Sequence, residues 1–189
     1  MLYPRPEGYP ERTTNNEQQM NPTTTDQHLV IRPANENDVP LILQFIQELA
    51  EYERLSHVVV ATEDLLREHL FGERKAAEVL LGYYDGRLAA FALYFQNFST
   101  FMGRPGIYLE DLFVKPEYRR KGFGRVLLVE LAKIAVERDY GRLEWSVLDW
   151  NSPAIDFYKS LGAIDLHDWT MFRLTGDKLV QLARSNGSL

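Results

Sequence analysis

The sequence predicts an α/β fold, a mixed central sheet with helices interleaved between its strands. Three observations predict it. Apolar residues recur at helical spacing in two long segments: Val39, Ile42, Leu43, Ile46, Leu49 and Ala50, and later Val126, Leu127, Leu131, Ile134 and Ala135. Between them, Asp85-Gly86 separates two apolar runs, which is a hairpin signal and excludes a purely parallel sheet. A glycine-rich segment then joins a strand to the second long helix.

Leu29-Val30-Ile31 begins a short strand. Asn37 is the expected N-cap of the first helix, with Pro40 inside its first turn, where the missing N–H costs nothing. Thr62 is the expected cap of a second helix carrying Leu65, Leu66, Leu70 and Phe71. Glu78–Tyr84 and Arg87–Phe95 form the hairpin strands. Residues 96–106 read as a loop closed by Pro105-Gly106, and Ile107–Val114 as the next strand. After the long helix, Leu143, Trp145 and Val147 alternate as a strand. Ser152 and Pro153 read as N-cap and first residue of a short helix that stops at Gly162. Trp169–Leu174 reads as a last strand and Asp177–Ala183 as a last helix.

The 189 residues, 45% of them hydrophobic, suffice for one domain with a full core. Residues 1–27 differ in composition. Pro4, Pro6, Pro10, Pro22, the run Thr23-Thr24-Thr25 and many Asn and Gln have little to bury, so a flexible tail is expected there and the domain over 28–189. Cysteine is absent, which removes disulfides, Cys-ligated zinc, iron–sulfur clusters and a thiol nucleophile. His28, His57 and His69 lack metal-ligand spacing, so no metal site is expected. No apolar run approaches the roughly 20 residues that span a bilayer, and no secretory signal opens the chain. A net charge of −6 argues against a nucleic-acid partner. The absence of cysteine fits a reducing compartment, and a cytoplasmic location is the expectation.

The strongest local signal is Arg119-Arg120-Lys121-Gly122-Phe123-Gly124-Arg125. Gly122 and Gly124 let a ligand approach the backbone, and the helix that follows offers unpaired N–H groups at its positive end. Arg119, Arg120, Lys121 and Arg125 crowd this turn in an acidic chain. Together these features suit a phosphate or diphosphate. The lysine pattern of a P-loop and the third glycine of a Rossmann turn are both missing. The alternative is a tight turn with a solvated basic surface.

Arg119-x-x-Gly122-x-Gly124 resembles the signature of the GNAT superfamily of acyl-CoA N-acyltransferases, over residues 29–183. Tyr108–Val114, Leu148–Pro153 with Phe157-Tyr158-Lys159, and Leu49–Glu53 resemble its spermidine/spermine (diamine) N-acetyltransferase branch. Where the polyamine enzymes carry an acidic residue before a tryptophan, this chain has His167-Asp168-Trp169, and Leu148-Asp149-Trp150-Asn151 also resembles a sister group acting on thialysine-like amino acids. The resemblance implies the GNAT fold, with a mostly antiparallel sheet, and direct acetyl transfer from acetyl-CoA to a small primary amine: a diamine, a polyamine or a thialysine-like amino acid. It implies that the turn amides hold the pyrophosphate, that Leu112, Phe113 and Val114 pair with the pantetheine arm, and that Asn151 contacts the cofactor. It implies Tyr158 as the acid for the leaving thiolate, although Ile155, Tyr158 and Leu161 also make a packing stripe. Homodimerisation is implied as well.

Glu110 is the catalytic candidate for the amine end, where a carboxylate is expected to face a polar cleft, bind ammonium or accept its proton through water. It and Asp111 interrupt an apolar strand, where an uncompensated carboxylate is costly to bury. Asp111 reads equally as a strand-end charge paired to a nearby arginine. By analogy Tyr52 and Glu53 line the same pocket, and Glu144, Trp145 and Ser146 lie on the substrate side. Two other readings stand beside this one: a protein lysine or N-terminal acetyltransferase, and a non-catalytic acyl-CoA-binding module.

Overall fold

A computed structural model describes residues 29–185. The expected tail over 1–27, and His28, lie outside the described residues. Two compact units divide at Trp145/Ser146.

The first unit holds a five-stranded sheet in chain order: β1 (Leu29–Pro33), β2 (Glu78–Tyr84), β3 (Arg87–Ser99), β4 (Arg104–Val114) and β5 (Leu143–Trp145). The first four strands run antiparallel, and β5 joins β4 in parallel. The sheet is therefore mixed and mostly antiparallel, as expected. Asp85 and Gly86 both take positive φ (48° and 73°), the geometry of a tight two-residue hairpin turn.

The segment expected as a loop over 96–106 is largely strand. Asn97 pairs with Gly106, Phe98 with Pro105 and Ser99 with Arg104. Pro105 is tolerated near the start of its strand. Gly106 is required, because a Cβ there would lie 2.6 Å from Asn97 Oδ1 and 2.7 Å from Arg142 Cγ.

Both sheet faces are covered. On one, α1 (Val39–Tyr52) and α2 (Glu63–Phe71) bury Ile42, Phe45 and Leu70 against Val79, Leu81, Phe91 and Phe113. Phe45 stacks on Phe91 with centroids 4.7 Å apart. On the other, α3 (Phe123–Glu137) packs on β2 to β5 with Phe123, Leu127 and Leu131 buried. Thr62 caps α2 as expected, accepting from the Leu65 N–H. The cap expected at Asn37 is not found: Asp38 occupies the N-cap position of α1 without a side-chain cap bond, and Asn35 caps a single 3-10 turn ahead of it. Asp38 reaches back to the Asn35 N–H at 2.8 Å and takes both Arg32 nitrogens at 2.7 and 2.8 Å.

The second unit contains α4 (Ser152–Ser160) and α5 (Gly176–Arg184). Asn151, not Ser152, occupies the N-cap position of α4, which places Pro153 deeper in the first turn. The chain leaves α4 through Gly162 at φ 87°. The expected strand Trp169–Leu174 does not form. Its apolar side chains are exposed, Phe172 to 91%. Among the described residues, no helix is long and apolar enough to cross a membrane, and no His/Asp/Glu group could hold a metal ion.

Candidate active site

A bulge interrupts β4. Leu109 pairs with Tyr94 and Asp111 with Leu93, so Glu110 has no opposite residue. The bulge resets which side chains share a face. Ile107 and Leu109 lie on the α3 side, whereas Asp111 and Phe113 lie on the α1 side with Leu93 and Phe91.

Glu110 is exposed and Asp111 half-buried. Burial pushes the Asp111 carboxyl up to about 7, and the charges of Glu110 and Glu53 push in the same direction. Glu53 follows the last residue of α1 and is itself raised by burial. Among the described residues no cation pairs with Asp111, so the arginine partner allowed by the sequence is not found. Asp111 is the titratable group that the sequence reading undervalued. No local signal marked it, because the bulge at Glu110 splits the apparent stripe of Ile107, Leu109, Asp111 and Phe113 between two faces.

Tyr52 closes α1 and packs its ring 6.4 Å from that of Phe113. Tyr52, Glu53, Glu110 and Asp111 thus come together around β4 and the end of α1. Of the other expected substrate-side residues, Glu144 accepts from Asn97 Nδ2 at 2.8 Å and lies 2.9 Å from Arg142 Nε. Trp145 pairs with Leu109 and shares its α3-side face.

β5 pairs only with Ile107–Leu109, so no described strand pairs with the second edge of β4 at Leu112, Phe113 and Val114. An extended ligand with amide groups could pair there as an added strand.

The turn after Val114 begins with the 3-10 segment Pro116–Tyr118. Arg120 (φ 64°) and Gly122 (φ 83°) are left-handed, and α3 starts at Phe123. Gly122 stands at the N-cap and no side chain caps this helix end. A Cβ built on Gly122 meets nothing within 4 Å, so the space over the turn is open. Backbone N–H groups of such a turn and of a first helical turn converge on an anion. Phe123 anchors the turn from below, 5.1 Å from the Tyr84 ring and 6.3 Å from that of Tyr118. The side chains of Arg120, Lys121 and Arg125 are exposed, and the Lys121 ammonium lies 4.7 Å over Tyr84. The Arg119 guanidinium is engaged elsewhere: Nε donates to the Val114 carbonyl at 3.0 Å and the group lies 4.4 Å over Tyr52. The donor set fits a diphosphate.

In the second unit, the Asn151 carbonyl accepts from the N–H groups of Ala154 and Ile155, both at 3.0 Å. Its side chain makes no capping bond. Tyr158 is half-buried on α4, with its ring 5.2 Å from that of Phe157. Ser146 is exposed. His167 lies 3.5 Å from Asp168, both largely exposed.

Residues 43–163 match the model of the Acetyltransferase (GNAT) family. The chain is 41% identical over 166 residues to a thialysine N-epsilon-acetyltransferase of Bos taurus, covering 82% of this chain and 97% of the relative. It is 35% identical over 201 residues to an L-ornithine N5-acetyltransferase of Arabidopsis thaliana, covering 82% and 88%. An integron cassette protein from the mobile metagenome of V. cholerae has a similar structure, with TM-score 0.71 and 29% identity over 84% of this chain and 99% of that one. With the bulged β4 and the glycine turn leading into α3 in place, this chain belongs to the acetyltransferase (GNAT) family and is an N-acetyltransferase.

Proposed function

We propose that the enzyme transfers the acetyl group of acetyl-CoA to a primary amine of a small cationic substrate: a diamine, a polyamine, or an ornithine- or thialysine-like amino acid. One observation carries this reading. A carboxyl cluster with no counter-cation among the described residues (Glu53, Glu110, Asp111) and an open, donor-rich turn (Arg120–Arg125) flank the same few residues of β4.

Acetyl-CoA supplies an acetyl group already activated as a thioester. The backbone amides of Arg120–Arg125 hold its diphosphate, and Arg120, Lys121 and Arg125 add positive charge. Arg119 joins this turn through its main chain. Leu112, Phe113 and Val114 offer the unpaired edge of β4 to the pantetheine amides. Asn151 contacts the cofactor beside α4.

Tyr52, Glu53 and Glu110 receive the substrate ammonium, by carboxylate pairing and by an aromatic wall. An alkylammonium with a pKa of about 10.4 must lose a proton before it can attack. Glu110, in the bulge, meets the ammonium, and Asp111 takes up the proton. A carboxyl that titrates near neutrality is matched to that task. Tyr158 Oη holds the proton for the departing sulfur. Glu144, fixed by Asn97 and Arg142, forms part of the pocket wall.

The same reading makes the enzyme a cytoplasmic homodimer. Trp169, Met171 and Phe172, exposed close together in sequence, support an interface between copies.

The test is an amine panel with acetyl-CoA, followed by thiol release. Turnover of ornithine, thialysine, spermidine or a short diamine is expected. Binding of CoA by calorimetry with no turnover of any amine would overturn the reading. Preference for lysine peptides over every free amine would reassign the enzyme to proteins.

A further inference from the structure

We propose that the Arg119 guanidinium is a positioning residue for the amine pocket, clamping Tyr52 and the end of α1 onto β4, rather than a ligand of the diphosphate. This rests on the amine pocket proposed above.

Three contacts fix the side chain. Nε donates to the Val114 carbonyl at 3.0 Å, at the point where β4 ends. The guanidinium carbon lies 4.4 Å from the Tyr52 centroid and 5.4 Å from the Phe113 centroid. The Tyr52 and Phe113 rings themselves are 6.4 Å apart and tilted by 58°. Arg119 therefore touches both members of an aromatic pair that joins α1 to β4. Its backbone meanwhile leads into the left-handed residues Arg120 and Gly122.

The neighbourhood of Tyr52 gives this clamp a purpose. Helix α1 ends at Tyr52, and the next three N–H groups close the end tightly: Glu53 to Leu49, Arg54 to Glu51, and Leu55 to Ala50. Arg54 sits at φ 62°, a conformation that persists only where its surroundings hold it. Glu53 lies within this end and raises the Asp111 carboxyl through its charge. Loosening Tyr52 would displace Glu53 from the ammonium site. An arginine suits the role because a planar guanidinium stacks on a ring while still donating in its own plane, and an ammonium cannot do both.

The experiment compares Arg119→Lys, Tyr52→Leu and the Arg119→Lys/Tyr52→Leu double variant. For Arg119→Lys we expect the amine KM to rise about tenfold, while kcat and the CoA dissociation constant change less than about twofold. Tyr52→Leu should show the same split, and the double variant should be no worse than either single one. Hydrogen exchange at the Glu53, Arg54 and Leu55 amides should quicken in Arg119→Lys without any ligand. A rise in the CoA dissociation constant with unchanged amine KM would return Arg119 to the diphosphate and overturn the proposal, as would fully additive losses. If the wild-type enzyme acetylates no amine, the reading of the pocket fails, and the exchange rates alone decide whether Arg119 holds the end of α1. Unchanged exchange in Arg119→Lys would then overturn the clamp.

Discussion

Asp111 shares a sheet face with Phe113, and not with Leu109, because the bulge at Glu110 inserts one unpaired residue between them. Strict alternation would have put all three side chains on one side. The consequence is chemical. Asp111 is brought to the α1 side within reach of the charge of Glu53, while Glu110 stays exposed.

Asp111 makes the enzyme pH-dependent in two ways. Its carboxyl keeps a proton up to about 7, whereas an ordinary aspartate loses it near 3.8. Between those values the native state binds more protons than the unfolded chain. Stability therefore falls as pH rises through that window, by at most ~1.4 kcal/mol per pH unit for one group, and stays lower above it. Asp111→Asn should flatten this dependence and raise the melting temperature at about pH 8 relative to wild type. In the same variant the rise of kcat/KM through neutral pH should be lost, with kcat/KM about a hundredfold lower. Thermal melts and pH–rate profiles of the two proteins check both.

Gly122 should not tolerate a side chain, for a reason other than crowding. A Cβ there meets nothing, but the residue stands at φ 83°. Gly122→Ala should therefore cost about 1 kcal/mol of stability through backbone strain. It should also weaken CoA binding about tenfold by placing a methyl group over the amides, as calorimetric titration can measure.

Tyr158→Phe should lower kcat about a hundredfold and leave the CoA dissociation constant within about twofold. The ring keeps its packing on Phe157 while the hydroxyl that would supply the proton is removed. Unchanged turnover would take Tyr158 out of the acid role.

Trp169 and Phe172 should control self-association. Both are largely exposed, at 65% and 91%. Replacing them with serine should convert a dimer into a monomer by light scattering, with little change in monomer stability. A wild-type protein that is monomeric at high concentration would refute the dimer.

Much of this protein was legible from local sequence. Asp85-Gly86 dictates its turn because two consecutive positive φ values suit few residue pairs. The Thr62 cap and the Arg119-x-x-Gly122-x-Gly124 turn are likewise set within a few residues, and the turn pointed to the family. Features that depend on distant partners were decided by the tertiary structure alone. The bulge at Glu110 exists only relative to Leu93 and Tyr94, and it determines which carboxyl is buried. Residues 97–99 became strand because 104–106 came back to pair with them. Trp169–Leu174 is apolar enough for a strand, yet no described strand pairs with it, and a strand without a partner leaves its hydrogen bonds to water. The direction of Arg119 follows the same logic. Its charge suggested phosphate, and the rings of Tyr52 and Phe113, remote in sequence and adjacent in space, turned it elsewhere.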